Sequence, residues 1–314
     1  MGRSDFFFSV IVPTYERPQQ LAVCLKFLAG LEYPRDQFEV IVVDDGSELP
    51  ADNVVASFHD KFHVTLLSQS HSGPAAARNF GAARAKGRFL AFIDDDCAPA
   101  VDWLQKLAAR FTETPDCAIG GRTLNALPDN QYSSTTQLII DYLYAYYNSP
   151  STQARFLTSN NLAVTAEYFH LVGGFDAGCR RAAAEDRELC DRWIRKGYRM
   201  LYAREVLVYH AHPLTFHSFL CQHFNYGRGA SYFHRVRMVK MESLQFYLRL
   251  LFYLPFQVDS RQVLVMFLLI GVAQVANAAG FFWESACGNF GFSRPVKTFS
   301  SLSNVLTIFR KQQK

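Results

Sequence analysis

The chain has 314 residues, enough for one large α/β domain or two smaller ones around a sizeable core. Its net charge of +4 is too mild to argue for a nucleic-acid partner, while 49% hydrophobic and 15% aromatic residues direct attention to a membrane-facing part. Seven scattered cysteines without a Cys-x-x-Cys pair exclude a disulfide framework and read as free thiols in a reducing compartment.

No apolar segment long enough for a signal peptide precedes Pro13, so no export is expected. "FFFSVIVP" is aromatic and β-branched, and predicts a buried strand stopped by Pro13. The next stretch repeats leucine at helical spacing, at Leu21, Leu25 and Leu28. "FEVIVVDDGS" predicts a second buried strand ending in carboxylates and a turn, and "HVTLLSQ" a third. "GPAAARNFGAARAKG" predicts an Ala-rich helix opened by Gly73-Pro74 and closed by Gly87. "RFLAFIDDD" is a fourth strand, "VDWLQKLAARFTE" a helix and "CAIGGR" a short strand.

Strands alternate with helices and are uniformly apolar, which predicts a parallel or mostly parallel sheet covered on both faces. Ligands of such sheets bind at the carboxyl ends of strands, near a switch point. Asp44-Asp45 and Asp94-Asp95-Asp96 both fall at such ends. Two acidic clusters on one rim are the first functional signal.

The rhythm changes near residue 123. "SSTTQLIIDYLYAYYN" predicts an aromatic-rich helix, "AAAEDRELCDRWIRKG" a helix from about Ala183 to Gly197, and "YRMLYAREVLVYHAHP" two short strands around a turn. A basic stretch, with Arg228, His234, Arg235, Arg237 and Lys240, precedes an apolar run from Leu244 to Phe256. Val263 to Trp283 then runs 21 residues without a charge, just long enough to span a bilayer.

"SVIVPTYERP", "VIVVDDGS", "GPAAARNFGAARAKG", "FIDDDC", "SNNLAV", "GGFD" and "EDRELCDRW" resemble, in order, the successive motifs of the family-2 glycosyltransferases. The resemblance covers roughly residues 6 to 215. It implies a GT-A fold, a Rossmann-like and mostly parallel sheet with helices on both faces. It also implies an inverting transfer from a nucleotide-diphosphate sugar, linked to uridine or guanosine, to a hydroxyl acceptor. Asp96 is then the direct ligand of Mn²⁺ or Mg²⁺, Asp94 faces the sugar or ribose, and Asp95 takes the variable middle position. Hard oxygen ligands suit such ions, and a metal bridging to phosphate relieves the repulsion of three adjacent carboxylates.

Asp44 and Asp45 match the nucleotide-base motif, with Asp45 favoured to accept from the base and Gly46-Ser47 forming the turn. Pro13, Thr14, Tyr15 and Glu16 occupy the loop that packs beneath the base. Arg78 resembles the basic residue near the donor, where a fixed charge helps neutralise pyrophosphate. Asp186 is the implied base, in the first turn of a helix whose dipole favours its ionised form, and Glu185 orients the acceptor. Glu188 and Asp191 read as surface or salt-bridge residues. Of His210 and His212, on one face of a strand, the resemblance points to His212 as completing the metal site, which leans toward Mn²⁺.

Processive members carry Gln-x-x-Arg-Trp, but Gln222 here is followed by Asn225 and no Arg-Trp, so one sugar per acceptor is expected. A methyltransferase-like reading lacks G-x-G-x-x-G in "VPTYERPQQ" and leaves "DDD" unexplained; an inactive sugar-nucleotide binding protein is opposed by the retained Asp96 and Asp186.

The expected division is a catalytic domain over 1–227, with halves 1–122 and 123–227, and a membrane-associating region over 228–314. Basic residues flank the long apolar run on both sides, from Arg228 to Arg261 and from Arg294 to Lys314, which argues against a single span. Gln274 and Asn277 within it argue the same way. Residues 244–290 are therefore expected to form interfacial or re-entrant helices that hold the enzyme on the cytoplasmic face of a membrane, near a lipid-linked or membrane-delivered acceptor. The same apolar surface would also suit a homo-oligomer or a partner interface.

Overall fold

The structure is a computed structural model that describes residues 7–178, 183–238, 242–253 and 260–288. Cys179, Lys240, the end of the Leu244–Phe256 run and the basic residues from Arg294 to Lys314 lie outside the described residues. Among the described residues the cysteines Cys24, Cys97, Cys117, Cys190, Cys221 and Cys287 are free thiols. The chain divides into two units, one of residues 1–124, 147–180 and 185–211, the other of residues 125–146, 181–184 and 212–314.

The first unit is built on an eight-stranded sheet of order β3-β2-β1-β4-β7-β6-β8-β5. The strands are β1 (Phe8–Thr14), β2 (Phe38–Asp44), β3 (Val64–Ser68), β4 (Phe89–Phe92), β5 (Cys97–Pro99), β6 (Ala118–Asn125), β7 (Leu162–Thr165) and β8 (Met200–His210). β3, β2, β1 and β4 run parallel. β7 is antiparallel to β4 and β6, and β5 to β8, so the sheet is mixed outside the half that carries the acidic rim.

Alternation along β1 sorts its side chains between two layers. Phe8, Val10 and Val12 join a core with Leu21 and Leu25 of α1 (Pro18–Ala29) and with Trp103, Leu107 and Phe111 of α4 (Trp103–Glu113). Ile11 points the other way, toward α3 (Pro74–Ala82), where a Cβ on Gly81 would lie 2.8 Å from its Cγ2. The small residues of α3 thus let a helix lie close against the sheet.

Pro13 does not stop β1, which continues to Thr14. Pairing with β2 persists to Thr14, but pairing with β4 ends at Ile11 and Phe92. Pro13 therefore sits where β4 no longer needs an N–H from it. Beyond that point β1 and β4 part, which leaves a crevice at the carboxyl ends of the parallel strands. Gly87 also does more than end a helix: α3 stops at Ala82, and a Cβ on Gly87 would lie 2.5 Å from the Ser9 nitrogen. The expected pair of strands around a turn is one continuous strand, β8. Its middle, Ala203-Arg204-Glu205, has no turn-forming residue, and Glu205 pairs with Arg110 of α4 at 2.5 Å.

The second unit holds α5 (Gln131–Tyr147) up to Tyr146, α8 (Phe216–Arg237), α9 (Leu244–Tyr253) and α10 (Ser260–Gly288); α2 (Asp52–Ala56), α6 (Ala166–Val172) and α7 (Glu185–Arg195) belong to the first. Threonine caps α8: Thr215 and Ser218 form a reciprocal capping box. Tyr142 of α5 donates to the Phe246 carbonyl of α9 at 2.7 Å. α8 and α10 cross at glycines. A Cβ on Gly227 would lie 1.8 Å from the Asn277 carbonyl, and one on Gly280 1.9 Å from the Phe224 carbonyl. Arg228 pairs with Glu284 at 2.6 Å beside this crossing, and Ser231 meets Ser285 at 2.8 Å.

Gly227→Val is expected to force the two helices apart and to destabilise the protein by about 2–3 kcal/mol, read as a lowered thermal midpoint. Gly271 of α10 has nothing within 4 Å of an added Cβ. Gly271→Ala should instead raise the midpoint, by the ~0.5–1 kcal/mol that alanine gains over glycine inside a helix. Equal midpoints for the two variants would show that the crossing does not matter.

Among the described residues one helix is long and apolar enough to cross a membrane, Val263–Cys287 within α10, with mean hydropathy 2.0. Leu264, Val265, Phe267, Leu268, Val275, Phe282 and Trp283 are exposed along it.

Candidate active site

The end of β2 turns at Gly46, which has a positive φ of 85° and a backbone neighbour at 2.8 Å from any Cβ, so glycine is required there. Asp44 shapes this turn: its Oδ1 accepts from the Ser47 nitrogen at 2.9 Å and hydroxyl at 2.6 Å. Asp45 is buried and faces the loop between β3 and α3. Its Oδ1 accepts from Gln69 Nε2 at 2.6 Å and the Ser72 nitrogen at 2.9 Å, and its Oδ2 from the Gly73 nitrogen at 2.8 Å. His71 Nδ1 lies 2.9 Å from Oδ2, and the His71 ring stacks on Tyr15 at 4.1 Å between centroids. Tyr15 is thus a half-buried stacking surface rather than core. Glu16, at φ 55°, ties this loop to the next: its nitrogen donates to Ser47 Oγ and its carboxylate accepts from the Glu48 nitrogen.

The three acids after β4 have different partners. Asp94 is partly exposed and accepts from Arg78 Nη2 at 2.6 Å. Asp95 points inward: its Oδ2 accepts from Thr14 Oγ1 at 2.8 Å across the parting of β1 and β4. Asp96 Oδ1 lies 3.1 Å from His210 Nε2 at the end of β8, and the Ala211 nitrogen donates to the Asp96 carbonyl. Arg17 reaches both, with Nη1 at 3.4 Å from Asp95 Oδ1 and 3.1 Å from Asp96 Oδ2.

Burial pushes the Asp95 carboxyl up to about 7, with Arg17 and the Thr14 hydroxyl opposing and the neighbouring acids adding to the rise. Burial disfavours the His210 imidazolium, but the Asp96 carboxylate outweighs it and His210 is raised. His212 follows two residues along the chain, and alternation brings its ring to the same side, so Asp96, His210 and His212 offer ligand atoms close enough to share one ion. One carboxylate oxygen and two imidazoles form a donor set that fits a divalent cation.

On the other side of the sheet, Arg78 of α3 is buried, with its guanidinium 5.5 Å from the Phe175 ring centre. It is not a solvated helix residue: Nη2 binds Asp94, and Nη1 binds Glu185 Oε1 at 3.1 Å. Its Nε is buried without a hydrogen-bond partner. Asn79, next along, clasps the Gly174-Phe175 turn, accepting from the Phe175 nitrogen and donating to its carbonyl, both at 2.8 Å.

α7 opens at Glu185, so Asp186 does sit in its first turn. The dipole there does not decide its charge. Burial, and then repulsion from Glu185, push Asp186 up to about 7, opposed by the Arg187 nitrogen, which donates to Oδ1 at 2.7 Å, and by Arg78. Glu185 is also raised by burial, against the pull of Arg78. Glu188 and Asp191 are ion-paired, with Arg192 and Arg195.

Arg78 therefore joins the acids after β4 to the acids that open α7. The first unit thus holds a carboxylate near neutral titration, the acids that follow β4 and the stacked rings of Tyr15 and His71. Arg17 and His71 carry no signal in the sequence, and His210 joins His212 beside Asp96. Only the His-x-His spacing carries a signal for the two histidines.

The profile of glycosyl transferase family 2 matches residues 9–187. The glycosyltransferase AglE of Haloferax volcanii is 27% identical over 233 residues, 71% of this chain and 72% of its own length. The pre-mycofactocin glycosyltransferase of Mycobacterium tuberculosis is 28% identical over 237 residues; the match covers 73% of this chain but only 48% of that protein. In fold, the chain is similar to the mannosyltransferase PcManGT of Pyrobaculum calidifontis, solved with GDP-Man and Mn²⁺, at a TM-score of 0.60 and 19% identity over 90% of this chain and 79% of that one. It is also similar to a TarS fragment of S. aureus solved with UDP-GlcNAc, at 0.54 and 16% over 91% and 92%.

Proposed function

The chain belongs to glycosyl transferase family 2, and on that premise we propose that it moves a single sugar from a nucleoside-diphosphate sugar to a hydroxyl acceptor with inversion at the anomeric carbon. The observation that carries this reading is the Arg78 bridge, which sets Asp186 beside the acidic end of β4.

The acceptor oxygen bonds to the anomeric carbon as the bond from that carbon to the phosphate oxygen breaks. The acceptor proton goes to Asp186. A carboxyl raised to about 7 is partly ionised at neutral pH and basic enough to hold the proton it takes. Glu185, held by Arg78, keeps the start of α7 in register and adds the repulsion that raises Asp186. Asp45 and Tyr15 supply an acceptor and a stacking face for a base, with Pro13, Thr14 and Glu16 shaping the floor beneath it. Asp96, His210 and His212 would hold the divalent cation, which supplies neutralisation of the departing diphosphate.

The donor class is open to a direct test. Thermal midpoints measured with Mn²⁺ and a panel of UDP- and GDP-linked sugars should rise for one nucleotide series. No rise with any nucleotide sugar would sink the reading.

The same proposal places the protein on the cytoplasmic face of a membrane, acting on a lipid-linked acceptor. α10 exposes an apolar side, while its other side packs on α8, which carries Arg228, His234, Arg235 and Arg237. A bilayer-spanning α10 would draw that polar helix into hydrocarbon, which is costly; a helix lying in the interface keeps α8 wet. The protein should co-sediment with vesicles containing phosphatidylglycerol, and Leu264→Asp with Leu268→Asp should release it. A C-terminal tag should be digested by protease added to sealed inverted vesicles. A protected tag would show a span and defeat the interfacial placement.

A further inference from the structure

Arg17 caps the start of α1 without a capping side-chain hydrogen bond, and its side chain folds back over the end of β4 instead. Its guanidinium takes one oxygen each of Asp95 and Asp96. Thr14 takes the second oxygen of Asp95 and His210 the second oxygen of Asp96. Each oxygen of these two acids thereby has a partner, and a cation arriving at Asp96 competes with the Arg17 guanidinium for its charge.

The two arginines of the site differ in how they could move. Arg78 has a side chain only 4% exposed and is locked between two acids. The Arg17 side chain is 43% exposed, so it enters from the solvent side and can withdraw without opening the core.

We propose that Arg17 is a resident cation that holds the Asp96 ligand position until a nucleoside diphosphate arrives, and so makes metal binding depend on the nucleotide. This rests on the reading of Asp96 as a metal ligand. A metal ion alone must evict the guanidinium from its carboxylates with nothing in return. When a diphosphate enters with the metal, the evicted guanidinium gains a new anionic partner at the same rim. The two ligands then bind cooperatively, and by linkage each strengthens the other to the same degree. Arg17 is a positioning residue in this account; it takes no part in proton transfer or bond making.

The test is a titration of Mn²⁺ followed by the electron paramagnetic resonance signal of the free ion, with no acceptor and no turnover. It compares the full chain with Arg17→Gln, Arg17→Lys and Asp96→Asn, each alone and with UDP or GDP. The unaltered protein should bind Mn²⁺ weakly alone and far more tightly with one nucleotide. Arg17→Gln should bind Mn²⁺ alone on the order of 10- to 100-fold more tightly, the worth of a charge-assisted hydrogen bond, and should lose most of the dependence on nucleotide. Arg17→Lys, which keeps a cation, should resemble the unaltered protein.

Unchanged Mn²⁺ affinity in Arg17→Gln, while Asp96→Asn abolishes binding, would overturn the role of Arg17 and leave the metal site standing. An equal gain in Arg17→Lys would show that charge is not the cause and would overturn it too. No Mn²⁺ binding in any protein, with or without nucleotide, would remove the metal site and this inference with it.

Discussion

Asp186→Asn is expected to bind a nucleotide sugar as tightly as the unaltered enzyme and to transfer 10²–10⁴-fold more slowly, on the order found when a general base is removed. The amide cannot take the acceptor proton, yet it preserves the shape of the side chain and the capping oxygen that meets the Arg187 nitrogen. The pH dependence carries the same information. The base works ionised, so kcat should climb as pH rises through about 7, where burial and Glu185 place the group, and level off above. Glu185→Gln removes the neighbouring charge and should move that climb to lower pH. Matching losses in donor affinity and rate for Asp186→Asn would instead assign this residue to binding or to helix capping.

Asp96→Asn is the second large effect. Exchange of a charged oxygen donor for an amide weakens a hard-cation site, and changes even behind the ligands cost 10–100-fold in metal affinity, so roughly 100-fold or more is expected here. Donor binding measured by calorimetry in Mn²⁺ should fall with it, while the circular dichroism spectrum stays the same. The asparagine also loses its ion pairs with Arg17 and His210, so the thermal midpoint without metal is a useful control. Normal turnover without added metal would remove Asp96 from the ligand set.

The acids were legible because carboxylates directly after a buried strand have no cheap structural explanation, and three of them in sequence have still less. The parallel half of the sheet was legible for a related reason, since strands buried on both faces lose the alternation that marks a one-sided sheet. Arg17 was not. Nothing in "YERPQQ" separates an arginine in solvent from one folded back across a strand end, because that contact spans 79 residues. Arg78 was recognised as basic and near the donor, but its burial between Asp94 and Glu185 depends on a helix more than a hundred residues later. His210 and His212 share a side of the chain, and spacing alone cannot say which ring meets Asp96. The continuity of β8 is not legible either, because the partner that holds Glu205 in its middle, Arg110, lies on a distant helix, α4.

The bridge from Arg78 to Glu185 closes a stretch of 107 residues. Long closures lose entropy before any contact repays it, so this one is expected late in folding. During synthesis the parallel strands and the acids at their ends emerge and can assemble well before α7 exists. Partly made chains would then carry the acidic rim without Glu185 and Asp186, and the Arg78 guanidinium would stay hydrated until its second carboxylate arrived. On the proposed role of Asp186, the last step of assembly is also the one that completes the site.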